Sequence, residues 1–163
     1  ESLDKRTIAL PPSPTKTQMA DWRMFLADTE IGYATRMRNF LKRDLRVQSM
    51  VTCSQAGWGR LTSLHREATQ DYIDIHAYWD HPEMPYGPWD PVGNRFHNTP
   101  LTPVLGNLGD TLTDTAIYRV AGKPFFVSEY NHPAPNEYAV ETVPLASVMT
   151  AFQGWSGYTL HEY

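Results

Sequence analysis

Cysteine is almost absent from this sequence. The one that occurs, Cys53, excludes an internal disulfide framework and any Cys-x-x-Cys metal site. It reads as a buried strand residue. An excess of positive charge is lacking as well: the formal net charge is -4, which gives no pull toward nucleic acid or an anionic membrane surface. No apolar run approaches the length that spans a bilayer. No signal-peptide pattern opens the sequence, but a mature secreted protein would have lost one. Phosphate-binding and zincin signatures are missing too: there is no P-loop, no G-x-G-x-x-G and no H-E-x-x-H. GWSG at 154–157 lacks the G-x-S-x-G spacing of a nucleophile elbow. What remains is the composition of one ordinary globular domain over 1–163, with 41% hydrophobic and 20% charged residues.

Proline and the large aromatics are plentiful. Thirteen prolines cluster at 11–14, 82–103 and 124–144, and five tryptophans and nine tyrosines are many for this length. Aromatic residues are core residues first. In loops after strands they also suit a sugar-binding cleft, where the apolar face of a pyranose stacks on a ring.

Along the chain, residues 1–16 form an irregular, extended leader. Apolar residues from Thr17 to Arg46 recur near the helical period, with Gly32 and Asp28-Thr29 as candidate kinks. VQSMVTC (47–53) predicts a first strand, Leu61–Gln70 a short helix, and DYIDIHAYW (71–79) a second strand. The long loop 81–103, rich in Pro, Trp, Tyr and Phe, predicts an ordered flap over a site. A helix over Leu112–Val120 closed by Gly122, a third strand over Pro124–Ser128, a helix over Pro144–Phe152 and a fourth strand within 154–163 complete the pattern. Strands alternating with helices predict an α/β fold with a parallel sheet, covered on both faces.

In such folds ligands bind at the carboxyl ends of the strands. The residues expected there are Ser54, Gln55 and Trp58 after the first strand, and His76, Tyr78, Trp79, Asp80 and His81 at the second. Glu129, Tyr130, Asn131 and His132 end the third, and Trp155, Tyr158 and His161 belong to the fourth. Carboxylate, imidazole and indole groups thus gather on one rim. Glu129, at the end of an apolar strand, could serve as nucleophile, general base or metal ligand; a helix cap or a surface ion pair is the plainer alternative. Alternation puts Asp74, His76 and Tyr78 on one face and Ile73, Ile75 and Ala77 on the other. His81 reads as a loop-structuring residue, and His132 is ambiguous. A metal site built from His76, His81, Glu129 and His132 matches no defined ligand spacing.

KPFFVSEYNHPAPNEY, DYIDIHAYWDHP and QGWSGY, in this order and spacing, resemble the later strands of clan A glycoside hydrolases, the (β/α)8 barrels related to cellulases, mannanases and β-galactosidases. The similarity covers about Asp21 to Tyr163. It implies a partial TIM barrel, a half-barrel made of about the fifth to eighth strands with their helices. It also implies that Glu129 is the retaining nucleophile, that His76 and Tyr78 orient it or touch the sugar, and that Trp155 floors the subsite of cleavage. Trp58, Trp79, Tyr130, Asn131 and His132 complete the expected substrate-binding set. Such enzymes need no cofactor and use two carboxyl groups about 5–5.5 Å apart. The family's acid/base belongs to an Asn-Glu pair ending the fourth strand, which makes Glu1 the candidate here. The expected partners are a carbohydrate substrate and either a missing N-terminal half-barrel or a second copy in a homodimer, where two Glu129 side chains would pair. The expected setting is secreted or periplasmic. Two other functions are open at this point: a non-catalytic carbohydrate-binding or scaffold remnant, and a metal-dependent hydrolase.

Overall fold

The computed structural model describes residues 2–161 apart from 3, 6, 10 and 88–91. The longest element is α1 (Lys16–Asn39). A reciprocal capping box starts it: Thr15 Oγ1 accepts from Gln18 N–H at 3.2 Å, and Gln18 Oε1 accepts from Thr15 N–H at 2.9 Å. Neither Gly32 nor Asp28-Thr29 breaks the helix, which runs on into one wider π turn, Phe40–Asp44. A 3-10 turn (Ala56–Thr62) leads into α2 (Ser63–Glu67) and then β1 (Ile73–Tyr78). Next come α3 (Thr111–Ala116), β2 (Phe125–Asn131), α4 (Thr142–Gln153) and β3 (Gly157–Leu160). Asp110 caps α3, accepting from Thr113 N–H at 2.6 Å. Gly154, at φ 63°, closes α4 in the left-handed conformation that favours glycine. No described helix is long and apolar enough to cross a membrane.

The described strands make one parallel sheet in the order β1-β2-β3. This corrects the expected half-barrel: three strands and four α-helices are too few for four barrel strands with their helices. The predicted strand at 47–53 is the one that does not form. A single bridge to β1, Gln55 opposite Asp74, comes just after it. Its own polar groups go to side chains and turns rather than to a ladder. Val51 N–H donates to Asp71 Oδ2 at 2.9 Å, Val51 C=O accepts from Asp71 N–H, and Thr52 Oγ1 donates to Tyr72 C=O and Glu67 Oε2. A stretch with Gln48, Ser49 and Thr52 has too little apolar surface to be held as an inner strand. Cys53, expected to be buried there, is exposed.

One face of the sheet is the core. Ile73, Ile75, Ala77, Phe125, Val127 and Tyr130 pack there with Leu101, Leu112, Ala146 and Trp155. The other face carries Asp74, His76, Tyr78, Phe126, Glu129 and Asn131, paired by register. The helix residues that pack on the sheet, among them Leu64, Ala116, Leu145 and Met149, join the core cluster, and the residues of the polar face are half-buried apart from the buried Asp74.

Asp71 joins the layers. Its carboxylate takes Arg38 from α1 through both Nε and Nη2, Lys42 Nζ at 3.1 Å and the Val51 amide. Burial alone would raise its pKa, but the hydrogen bonds from Arg38, Val51 and Lys42 outweigh burial and hold it at about 2. A carboxyl whose folded pKa lies below its ordinary value stabilises the protein above that value and loses the contribution as pH falls through the folded one. Asp71→Asn should therefore lower stability by about 1–2 kcal/mol at pH 7. The gap to the parent should close between about pH 4 and pH 2, read as the thermal midpoint across that range. A gap that stays constant with pH would show that Asp71 acts by shape alone.

Candidate functional site

β2 carries one residue more than the stretch of β1 it pairs with. Ile75 faces Val127 and His76 faces Glu129, so Ser128 has no partner on β1. On the other side Tyr158 faces Val127 and Leu160 faces Tyr130, so Thr159 alone spans Ser128 and Glu129. Strict alternation from Phe125 and Val127 would put residue 129 in the core. The bulge reverses this: Glu129 comes out on the face of His76, and Tyr130 takes the core position.

On that face Glu129 is held at one oxygen. Tyr78 Oη donates a short hydrogen bond to Oε2. His76 Nδ1 lies 3.1 Å from the same atom and His161 Nδ1 lies 3.4 Å from it. All three contacts fall on Oε2, and Oε1 takes none of them. The Tyr78 ring is itself fixed edge-on by two imidazoles, His81 at 5.3 Å and His161 at 5.7 Å between ring centres. His161 is anchored by its backbone N–H, which donates to Tyr130 C=O at 3.3 Å. Asp74 stands behind His76, with Oδ2 4.0 Å from Nε2. The Glu129 side chain is 30% exposed, open enough for a ligand to reach it.

The extra residue is clasped from both sides. Ser128 N–H donates to Asp74 Oδ1 at 3.2 Å and Ser128 Oγ to Asp74 Oδ2 at 2.8 Å. Ser128 C=O accepts a short hydrogen bond from Thr159 Oγ1. Beside it Phe126 covers Gly157 so closely that a Cβ there would meet the ring at 2.7 Å, which requires glycine.

An open cleft of about 420 Å³ runs along the outer edge of β1 toward α3. Gly57, His76, Tyr78, Trp79, Asp114 and Tyr118 line it. Glu129 is not in its wall; His76 and Tyr78 are shared between cleft and carboxylate.

The long loop is tied at both ends. Asp80, at φ 49°, accepts from Thr99 N–H at 2.7 Å and Thr99 Oγ1 at 2.8 Å, and Trp79 Nε1 donates to Thr99 C=O at 2.9 Å. Glu83 and Arg95 pair across the loop through their backbones and side chains. Glu141 Oε2 accepts from Leu101 N–H at 2.6 Å. Burial opposes ionisation of Glu141, but the hydrogen bonds from Thr102 and Leu101 prevail and lower its pKa.

Comparison with protein-family models, curated proteins and solved structures finds no match to this chain. The site's meaning rests on its chemistry.

Of the residues predicted for the site, Glu129, His76 and Tyr78 come together, with Asn131 opposite Tyr78 in register and Trp79 beside them in the cleft wall. Four others lie elsewhere. Trp155 precedes the start of β3, at the end away from the rim, and is packed against Phe125 with ring centres 5.4 Å apart, a core residue rather than a sugar floor. Tyr130 is fully buried on the helix-covered face, and burial pushes its hydroxyl well above the ordinary range. His132 lies behind it, Nε2 3.3 Å from Tyr130 Oη, with its pKa lowered by burial. Trp58 is 77% exposed on the 3-10 turn. Glu1 lies outside the described residues. His132's position also takes apart the four-residue metal set, and among the described residues no group of three or more His, Cys, Asp or Glu is placed to hold a metal ion. His161, placed on the rim by the sequence but given no role, belongs to the site.

Proposed function

We propose that this protein is a retaining glycoside hydrolase acting on β-linked glycans, with Glu129 as its nucleophile. The observation that carries this reading is the one-sided hold on the carboxylate. Tyr78, His76 and His161 all converge on Oε2, which fixes the plane of the group and leaves Oε1 for attack. A nucleophile works best when its geometry is set before the substrate arrives. The aromatic wall of the neighbouring cleft, Tyr78, Trp79 and Tyr118, offers the flat apolar surfaces that sugar rings stack on.

In the proposed reaction Oε1 attacks the anomeric carbon and the glycosidic oxygen leaves with a proton from a general acid. Water then hydrolyses the glycosyl ester, giving up a proton to the same group and regenerating the carboxylate. Tyr78 keeps its hydrogen bond to Oε2 throughout, which stabilises the carboxylate as leaving group in the second step. Incubation with a panel of 2-fluoro glycosides bearing a dinitrophenolate leaving group tests this, because that group departs without protonation. Intact mass should rise by one fluoroglycosyl unit, mapped to Glu129. If no sugar labels the protein while glycans still bind, the chain is a carbohydrate-binding protein and not a hydrolase.

A further inference from the structure

A bulged residue ordinarily leaves its backbone groups without ladder partners. At Ser128 side chains from both flanking strands reach the backbone groups. Asp74 of β1 takes both the N–H and the hydroxyl, and Thr159 of β3 donates to the carbonyl. Thr159 is also the one residue of β3 that lies opposite the two residues of the bulge, Ser128 and Glu129. The clasp sits immediately before Glu129, where the count of residues decides which face the carboxylate takes.

We propose that Asp74 and Thr159 are positioning residues: by clasping the Ser128 bulge they turn Glu129 out of the core and onto the Tyr78, His76 and His161 contacts. This rests on Glu129 being the nucleophile for its effect on rate, but not for its effect on geometry. Without the clasp, β2 gains by relaxing toward regular alternation, which carries residue 129 toward the helix-covered face. Full reversal would bury a carboxylate and expose Tyr130, so the bulge should loosen rather than vanish. The carboxylate would then spend less time in reach of Tyr78.

Two readouts test this. The first is labelling of Glu129 by the reactive 2-fluoro glycoside. Thr159→Val, which keeps the shape and removes the donor, and Asp74→Ala should each slow the labelling step by about 10-fold or more, with the inhibitor's binding constant changing less than about 3-fold. Thr159→Ser, which keeps the hydroxyl, should restore the rate to within about 3-fold of the parent. Parent-like labelling rates in both Thr159→Val and Asp74→Ala would overturn the inference.

The second readout needs no activity. The carboxyl ¹³C resonance of Glu129, assigned by its loss in Glu129→Gln, should move when Tyr78 is changed to Phe. In Thr159→Val or Asp74→Ala the same Tyr78→Phe change should move it much less, because the two groups have already separated. An undiminished response in both variants would overturn the clasp even if the parent protein were never labelled. A diminished response in an unlabelled protein would keep the clasp and remove the hydrolase reading.

Discussion

Glu129→Gln should lower turnover of an activated aryl β-glycoside by on the order of 10³-fold or more while leaving glycan binding nearly intact. The amide keeps the shape of the carboxylate and can still accept from Tyr78, so the fold around β2 has little reason to change. What it loses is the negative charge that attacks the anomeric carbon. Glu129→Gly sharpens the test. The glycine leaves a gap where Oε1 was, and azide can enter it. Azide then attacks the anomeric carbon from the nucleophile's side, the carbon–oxygen bond breaks and dinitrophenolate leaves. A β-glycoside therefore gives the α-glycosyl azide. Formation of the β-azide would mean that Glu129 is the acid/base and that another group attacks. No rescue together with parent-like turnover in Glu129→Gln would remove Glu129 from the chemistry.

Glu129 stands out as a candidate in the sequence because two separate patterns meet on it: an apolar strand that ends, and polar neighbours that gather. The route by which it reaches the site was not legible. Period-2 reading of Phe125 and Val127 sends residue 129 into the core, and no residue type in FFVSEYN announces an extra residue. The bulge exists because Asp74, 54 positions away, and Thr159, 31 positions away, meet Ser128 in space. Such long-range contacts leave no local mark. The same bulge explains why Tyr130 and His132 were misplaced, since the reversal of face that exposes Glu129 buries Tyr130.

Trp155 failed for a different reason. Within 154–163 it lies at the amino end of the strand, two residues before Gly157, whereas the site forms at the carboxyl ends of the strands. His161 suffered the reverse: it stands just past the strand, where loop residues rarely declare a role, and only the fold brings it to Glu129. Residues 47–53 show how propensity yields to partners. VQSMVTC has the β-branched residues of a strand, but Asp71, Tyr72 and Glu67 absorb its hydrogen bonds before a ladder can form. The long helix was the easiest element to read because its spacing and its Thr15-Gln18 capping pair agree.

Beneath α1, away from the proposed chemistry, Arg66→Ala should be the most destabilising of these substitutions. Arg66 and Glu67 are adjacent in α2 and both buried, and Glu67 is fully so. Arg66 Nε donates to Glu67 Oε1 at 2.7 Å, Nη1 to Glu30 Oε2 of α1 at 2.9 Å, and Nη2 to Gln55 C=O at 3.4 Å. One guanidinium thus ties two helices and the chain that leads into α2. Burial already raises the Glu67 pKa, and Arg66 is the first of the groups that oppose the rise. Removing Arg66 leaves a buried carboxylate with Thr52 Oγ1 at 3.1 Å as its remaining hydrogen-bond donor among the described residues. Breaking such a pair costs about 3–5 kcal/mol, a large share of the roughly 5–15 kcal/mol that stabilises an ordinary domain.

The pH dependence has a definite sign. A carboxyl whose folded pKa lies above its unfolded value holds its proton more tightly in the folded state, so stability falls as pH rises through the folded value. In Arg66→Ala that value rises further, so the loss should be largest near pH 7 and shrink as pH is lowered toward the ordinary glutamate range. Replacing both partners, Arg66→Met with Glu67→Leu, removes the buried charge together with its counterion. It should recover all but about 1–2 kcal/mol of the single variant's loss, the residue being the tie to Glu30. Urea unfolding of the parent, the single and the double variant at pH 7 and pH 5 reads all of this. If the double variant is as unstable as Arg66→Ala, the damage comes from the lost links to Glu30 and Gln55, and the stranded charge on Glu67 is not its cause.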